Sequence, residues 1–171
     1  MNMEKFTERS RGFLQAAQTI AIREGNQRVV PEHLLKALMD DDQGLAANLI
    51  GRAGGDAAAV RRAVDELVEK LPRVSGGDGQ VYVDTSLVRV MDEAEKVAKK
   101  AGDSFVPVER ILMALAMVNT RAKDALDAGR VTVQALNGAV NDIRRGRTAD
   151  SASAEDTFEA LAKYARDLTE A

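Results

Sequence analysis

A stretch of fourteen residues occurs twice in this chain, and this repeat restricts the possible folds more than any other feature. The first copy reads GNQRVVPEHLLKAL at 25–38, and the second reads GDSFVPVERILMAL at 102–115. Each copy has a glycine that suits the end of a helix, a short polar turn, and a valine and a proline that lead into a new helix. Glu32 and Glu109 fall in the first turn of that helix, where a carboxylate favours the positive end of the helix dipole. The match predicts a duplicated unit.

Apolar residues at three- and four-residue spacing predict four helices in each copy. The predicted starts lie at or next to Thr7, Pro31, Leu45, Asp56, Asp84 or Thr85, Val108, Ala122 and Thr132. The apolar stripes of the fourth and eighth helices also match. The spacing between matching positions in these two helices is one residue shorter than the spacing between Glu32 and Glu109. Because one four-helix unit would leave an apolar face uncovered, we predict an all-α fold in which two four-helix repeats, related by an approximate twofold axis, pack as one bundle.

The predicted double repeat covers residues 1–145, with the repeats at about 1–72 and 84–145 and a turn-rich joining loop at 73–83. The next segment, 146–153, is small, polar and basic, which predicts a flexible linker with nothing to pack. Ser153 and Asp156 have capping-box spacing, and an apolar stripe follows them to the last residue. Residues 146–171 are therefore predicted to be a linker and a ninth helix that leads into a longer protein.

Composition and charge exclude several classes of protein. The chain has no cysteine, so a disulfide framework and thiolate chemistry are excluded. No apolar run approaches the roughly 20 residues of a membrane span, and the charged start does not suggest a signal peptide. The net charge of −3 argues against a dedicated nucleic-acid-binding protein. We therefore expect a cytoplasmic protein with no membrane or nucleic-acid partner, and a monomer because the duplication supplies each half with its partner.

An enzymatic function has little support in the sequence. His33 is the only histidine and lies at a predicted helix start, so we interpret it as a buried, hydrogen-bonded structural residue. The acidic run at 40–42 lacks the ligand spacing and the glycine of a calcium loop and is interpreted as a solvated helix end. Lys96, Lys99 and Lys100 are interpreted as the solvent face of the fifth helix. No catalytic or metal-binding residues are predicted.

Several short motifs, taken together and in order, resemble the Clp N-terminal domain family, and within it the ClpB-type protein disaggregases. They are NQ at 26–27 ahead of PEHL at 31–34, LPRV at 71–74, SLVRV at 86–90 and GDSF at 102–105. The tail adds AED at 154–156 and KYARDLTE at 163–170, which is similar to the helix leading into the first ATPase module of that family.

The resemblance implies the substrate-binding domain of a hexameric AAA+ ATPase that threads aggregated polypeptides through a central pore. Its expected partners are unfolded or aggregated client proteins and the rest of its own hexameric chaperone. This chain has no Gly-rich loop ending in Gly-Lys-Ser/Thr, so ATP and magnesium would belong to missing modules and no cofactor is expected here. An alternative is a domain that docks folded adaptor proteins, as in ClpA- and ClpC-type unfoldases.

The resemblance also assigns client binding to Thr7, Asp103 and Glu109, around a surface groove. Arg110 belongs to the same candidate site, although the family often has apolar residues near positions 93 and 110, where this chain has Glu93 and Arg110. Local structure explains three of the residue types equally well, since threonine caps helices, aspartate suits turns and a first-turn glutamate complements the helix dipole. We expect Thr7, Asp103 and Glu109 to lie on one side of the domain, with neither carboxylate in the core.

Overall fold

The computed structural model describes residues 3–74, 80–145 and 148–155, and within these ranges the chain forms eight α-helices. A short 3-10 turn at Met3–Lys5 precedes them, and two short strands, β1 (Arg28–Val29) and β2 (Tyr82–Val83), pair as a small parallel sheet. The helices are α1 (Glu8–Arg23), α2 (Pro31–Met39), α3 (Leu45–Arg52), α4 (Ala57–Glu69), α5 (Thr85–Lys100), α6 (Val108–Met117), α7 (Arg121–Ala128) and α8 (Val133–Arg144). The predicted all-α class and the helix starts are confirmed.

The helix ends follow the local signals in the sequence. The side chains of Thr7, Asp56, Asp84 and Thr132 each accept a hydrogen bond from a backbone N–H in the first turn of α1, α4, α5 and α8. After α1 and α5 the chain turns through Gly25 and Gly102, whose φ angles of 71° and 84° favour glycine. These local devices explain why the helix boundaries can be read from the sequence.

A strand exchange joins the two repeats. Val29 of the first repeat pairs with Val83 at the start of the second, and Val106 of the second repeat pairs with Phe6 at the start of the first. When the two copies are aligned on Glu32 and Glu109, Phe6 corresponds to Val83 and Val29 to Val106, so the bridges are equivalent. Each repeat therefore pairs with the start of the other, through strands β1 and β2 in one case and a single bridge in the other. The strands were not predicted, because two residues are too few to show alternation.

One apolar core runs through the bundle and includes buried side chains from all eight helices. The connections before α4 and α8 meet closely, since the Asp56 N–H donates to the carbonyl of Gly129 at 2.8 Å. A Cβ atom at position 129 would lie 2.3 Å from Val60, so this approach requires glycine. The prediction of two copies that share one interface is confirmed.

The segment at 148–155, which we call the strap, packs against the domain. The N–H groups of Phe105 and Glu8 donate to the strap carbonyls of Ala149 and Ala152, both at 2.9 Å. Ala149 is fully buried, so the expectation that 148–153 has nothing to pack is wrong. Residues 146–147 and, beyond Glu155, the predicted ninth helix lie outside the described residues. Within the described part of the chain, no helix is long and apolar enough to cross a membrane.

Candidate functional site

The four candidate residues come together on one side of the domain, but in a buried position. Thr7, Asp103, Glu109 and Arg110 are all buried, and the Asp103 side chain is fully shielded from solvent. Their juxtaposition agrees with the expectation, whereas the expectation that Asp103 and Glu109 lie outside the core is wrong. The physical reason is that each carboxylate has an arginine partner, which offsets the loss of hydration on burial.

The main arginine partner of both carboxylates is Arg144, at the end of α8. Its Nη1 donates to both oxygens of Asp103 at 2.8 and 2.9 Å, and its Nε and Nη2 donate to Oε1 of Glu109 at 3.0 and 2.5 Å. The Nε of Arg110 donates to Oδ2 of Asp103 at 3.0 Å. Burial alone would lower the pKa of Arg144, but the Glu109 and Asp103 carboxylates outweigh it and keep that pKa above its ordinary value.

The sequence analysis missed Arg144, although a signal was present. When the apolar stripes of α4 and α8 are aligned, Arg144 takes the position of Val68, which is buried in the first repeat. A charged residue at an apolar stripe position indicates a buried partner of opposite charge.

Thr7 connects the cluster to the strap. Its hydroxyl accepts the Ser10 N–H and donates to Oε2 of Glu155 at 2.5 Å. The same Glu155 oxygen accepts the N–H of Val108, the first residue of α6, at 3.0 Å. Burial and the nearby Glu109 carboxylate raise the pKa of Glu155. On the other side, the N–H of Ala149 donates to Oδ1 of Asp103 at 2.7 Å.

A groove of about 520 Å³ opens above this cluster, between α5, α6 and α8. Arg110 and Arg144 line it and are almost fully buried, so they lie at its floor, whereas Met117 is 38% exposed. The remaining apolar lining consists of Val97, Ala101, Met113 and Val133, and the amide lining of Gln134, Asn137 and Asn141. The exposed Lys100 and the strap residue Thr148 complete the lining. Asp103 and Glu109 are not in the groove but hold its two arginines in place. Of the four predicted residues, Arg110 alone is a lining residue.

In the first repeat, ion pairs occupy the place that corresponds to this groove. Lys36 lies 2.7 Å from Asp65 and 3.3 Å from Asp40, and Arg61 lies 3.2 Å from Asp40, so these contacts bridge α2 to α4. In the aligned copies, the equivalents of Lys36 and Asp40 on α6 are Met113 and Met117, and the equivalents of Arg61 and Asp65 on α8 are Asn137 and Asn141. The second repeat therefore lacks every charge of the bridge.

The junction of the first repeat is held by neutral groups. His33 accepts the N–H of Val30 at Nδ1, at 3.0 Å, so its Nε2 carries the proton and donates to Oδ1 of Asn26 at 2.8 Å. The amide of Asn26 then donates to the carbonyl of Pro72 at 3.0 Å. Burial lowers the pKa of His33 to about 4. The interpretation of His33 as a buried, hydrogen-bonded residue is confirmed.

A second groove, of about 630 Å³, lies between α1, β2 and the start of α5. Long polar side chains of α1, including Arg11, Gln15 and Gln18, form one wall, and Val29, Val83 and Leu87 lie opposite. Its lining contains no thioether other than that of Met3. Among the described residues, no cluster of histidine and acidic side chains could hold a metal ion.

Comparison with known proteins places this arrangement in a family. Residues 5–129 match the Clp repeat (R) N-terminal domain family. The chain belongs to this family. The Clp N-terminal domain described here is 57% identical over 171 residues to the chaperone protein ClpB of Brucella suis biovar 1, and 55% identical over 170 residues to that of Mesorhizobium japonicum. In both cases the match covers 99% of this chain but 20% of the relative, so the chain spans about a fifth of the length of these relatives.

The fold agrees with solved Clp N-terminal domains. The N-terminal domain of Hsp104 from Candida albicans superposes with a TM-score of 0.77, covering 88% of this chain and 98% of that one at 22% identity. At this identity the likeness shows the fold alone. Together with the ClpB relatives, it identifies a Clp N-terminal domain of the ClpB chaperone type.

Proposed function

We propose that this Clp N-terminal domain captures unfolded or aggregated polypeptides through the groove between α5, α6 and α8. The observation that carries the proposal is the contrast between the repeats: the first has a bridge of ion pairs at this position, and the second has methionine and asparagine side chains around an open groove. The rest of the chaperone, including an AAA+ ATPase hexamer that threads the client, belongs to the same proposal and would lie outside this chain.

The chemistry of the groove suits clients of varied sequence. Methionine is flexible and polarisable, so Met117, at the exposed edge, can adapt to different apolar side chains. Met113 is almost fully buried, and its sulfur accepts a hydrogen bond from Nη1 of Arg110 at 3.2 Å. The amides of Asn137 and Asn141 offer both donors and acceptors to an extended client backbone. Arg110 and Arg144 are fixed beneath by Asp103, so the floor is polar and preorganised. Such contacts are individually small, and we expect micromolar or weaker affinity for the isolated domain, about −8 kcal/mol or less favourable.

The proposal is tested by titrating the 171-residue chain with fluorescein-labelled α-casein, a polypeptide without a fixed fold. Met117→Asp places a charge on the exposed edge of the groove, and we expect the Kd to rise at least fivefold. Ile22→Asp is the matched control, because Ile22 is an apolar residue of α1 that is 50% exposed and lies outside the groove. Its Kd should equal that of the unchanged protein.

Two results would contradict the proposal. If Met117→Asp bound casein as tightly as Ile22→Asp, the groove would not be the client site. If the unchanged protein did not bind casein at millimolar concentration, client capture itself would be rejected. The alternative, docking of a folded adaptor protein, would then be the function left to test.

A further inference from the structure

Two buried carboxylates meet where the strap ends, and each has one oxygen that is already bound and one that is not. Glu155 Oε2 accepts the Thr7 hydroxyl at 2.5 Å and the Val108 N–H at 3.0 Å, and Glu109 Oε1 accepts Nε and Nη2 of Arg144. The other oxygens, Oε1 of Glu155 and Oε2 of Glu109, are buried and have no hydrogen-bond partner among the described residues.

The two carboxylates are neighbours. Val108, whose N–H binds Glu155, directly precedes Glu109 in the first turn of α6. Burial and then the negative charge of Glu109 raise the pKa of Glu155. If both groups were ionised, each would keep a charged oxygen buried without a donor, which is costly in the interior of a protein.

One proton satisfies both unpaired oxygens. A protonated carboxyl group has an O–H donor, and an ionised carboxylate beside it is an acceptor. With the proton on Oε1 of Glu155, Oε2 keeps the Thr7 and Val108 donors that it already has. The charge on Glu109 stays paired with Arg144. Carboxylates that share a site hold one proton between them for the same reason.

The surroundings of Glu155 do not favour its ionised form. Among the described residues, no lysine, arginine or histidine forms an ion pair with it. The other charged groups on the elements around this site are Glu8 of α1, Asp103 before α6, Arg110 of α6, Arg144 of α8 and Asp150 of the strap. Both arginines are bound to other carboxylates, and the side chains of Glu8 and Asp150 are exposed.

We propose that Glu109 and Glu155 share one proton and that this proton fastens the strap to the domain. The strap is held in mildly acidic solution. When the pH rises and the proton leaves, two negative charges face each other, and release of the strap lets Glu155 reach water. The bundle can stay folded, because the buried alanines of the strap lie outside the main core. The pH thus sets whether the chain leaves the domain beside Thr7 or at the end of α8.

The test measures hydrogen exchange of the 171-residue chain at about pH 5.5 and about pH 8, with each rate divided by the intrinsic rate of an unstructured amide at that pH. The amides of Phe105 and Glu8 report on the strap, since they donate to its carbonyls. Their protection should be at least ~10-fold higher at the lower pH. The Val106 amide, which donates to Lys5 and not to the strap, is the internal control and should change less than about twofold.

Glu155→Gln distinguishes a shared proton from an ordinary structural carboxylate. The glutamine has an N–H donor where the protonated glutamate has its O–H, and it keeps an oxygen for Thr7 and Val108. It should hold the strap at both pH values, with protection at about pH 8 at least ~10-fold above that of the unchanged protein. Asp150→Asn, the matched control, removes an exposed carboxylate of the strap and should leave the pH dependence unchanged.

The shared proton is also observable directly. In the unchanged protein, the side-chain carboxyl carbons of Glu109 and Glu155 should both shift in the same pH step in a 13C NMR titration, because the proton belongs to the pair. Separate, independent steps would contradict the proposal.

Three exchange results would overturn the inference. Equal protection of Phe105 and Glu8 at the two pH values would show that no proton fastens the strap. A looser strap in Glu155→Gln at both pH values would show that Glu155 acts as a charged acceptor. Loss of the pH dependence in Asp150→Asn would assign the titration to Asp150. The inference does not depend on the proposed function, and none of these results bears on casein binding in the groove.

Discussion

In the first repeat, the junction between α1 and α2 is held by the Asn26 amide, the neutral His33 ring and the Pro72 carbonyl. In the second repeat, the equivalent places are taken by Asp103, Arg110 and the Ala149 N–H. The sense of the last hydrogen bond is reversed: an amide donates to a carbonyl in one copy, and a backbone N–H donates to a carboxylate in the other. The same backbone geometry is therefore stabilised by neutral groups in the first repeat and by charged groups in the second.

The difference extends from the junction to the surface. In the first repeat the charges lie between α2 and α4, where Lys36, Asp40 and Asp65 form an ion bridge. In the second repeat the charges lie in the buried cluster, and methionines and asparagines are left above them. In the second repeat the charges are buried, and the surface above them is an open groove. On the proposed function, the second repeat carries the binding surface at the position where the first repeat has an ion bridge.

The largest expected effect comes from removing the arginine that distinguishes the two copies. Arg144→Met keeps much of the length of the side chain but leaves Asp103 and Glu109 without a full counter-charge in the interior. Removing one partner of a buried ion pair costs about 3–5 kcal/mol, so urea unfolding should show that the free energy of unfolding falls by that amount. The matched control is Arg145→Met, because Arg145 is exposed and forms no part of the cluster, and it should change stability by less than about 0.5 kcal/mol. Equal losses in the two variants would contradict the assignment.

A smaller expected effect concerns the change in stability at low pH, which depends on His33 in the first repeat. The folded pKa of His33 is about 4, below the ordinary 6.5, so the protein binds its proton less readily when folded. The contribution of the neutral His33 ring to the free energy of unfolding is complete above pH 6.5. It is lost as the pH falls towards 4, and the loss is about 2 kcal/mol at pH 5. The equivalent residue in the second repeat is Arg110, so the imidazole occurs in the first repeat alone.

His33→Gln should therefore reduce the loss of stability between pH 7 and pH 5 by about 2 kcal/mol, measured by urea unfolding at each pH. Burial raises the pKa values of Glu32 and Glu155, so these two groups act in the opposite direction and stabilise the protein more as the pH falls. They are present in both proteins, so comparing the two losses isolates the histidine. An unchanged pH dependence in His33→Gln would show that the ring is not held neutral.

The smallest effect compares the two equivalent caps, Thr7 and Asp84. Each caps a first-turn N–H group, and removing such a cap costs about 1 kcal/mol. Thr7 also donates to the buried Glu155 carboxylate, whereas the other contacts of Asp84, with the Ser86 hydroxyl and with Arg28 at 4.0 Å, are only part-buried or exposed. We therefore expect Thr7→Ala to destabilise the domain by about 1 kcal/mol more than Asp84→Ala, measured by thermal unfolding. Equal losses would mean that the contact of Thr7 with the strap contributes no more than those contacts of Asp84.

The helices and the duplication were accessible from the sequence because their signals are local. Caps such as Asp56, stop residues such as Gly25 and apolar stripes each act within a few residues, and the constant interval between the copies joins them. The ion cluster was not predicted, because Arg144 is distant from Asp103 along the chain. The charge of Arg144 at an apolar stripe position indicates a buried partner but not which residue that partner is. The strap was not predicted either, since Ala149 and Ala152 are small residues with no periodicity. Its contacts are made by backbone groups that any sequence carries.

The most direct test of the central claim is to build the ion bridge of the first repeat into the second. Met117→Asp and Asn137→Arg together install the equivalents of Asp40 and Arg61, and both positions are exposed. The control carries Met117→Leu and Asn137→Gln, which add no charge to the groove. Circular dichroism and urea unfolding should show both variants folded.

The measurement is the Kd for labelled α-casein. If the open groove of the second repeat is the client site, the bridged variant should bind at least tenfold more weakly, and raising the salt concentration should restore part of the affinity by screening the new ion pairs. The uncharged control should stay within about twofold of the unchanged protein. A folded, bridged variant that binds casein with unchanged affinity would contradict the account.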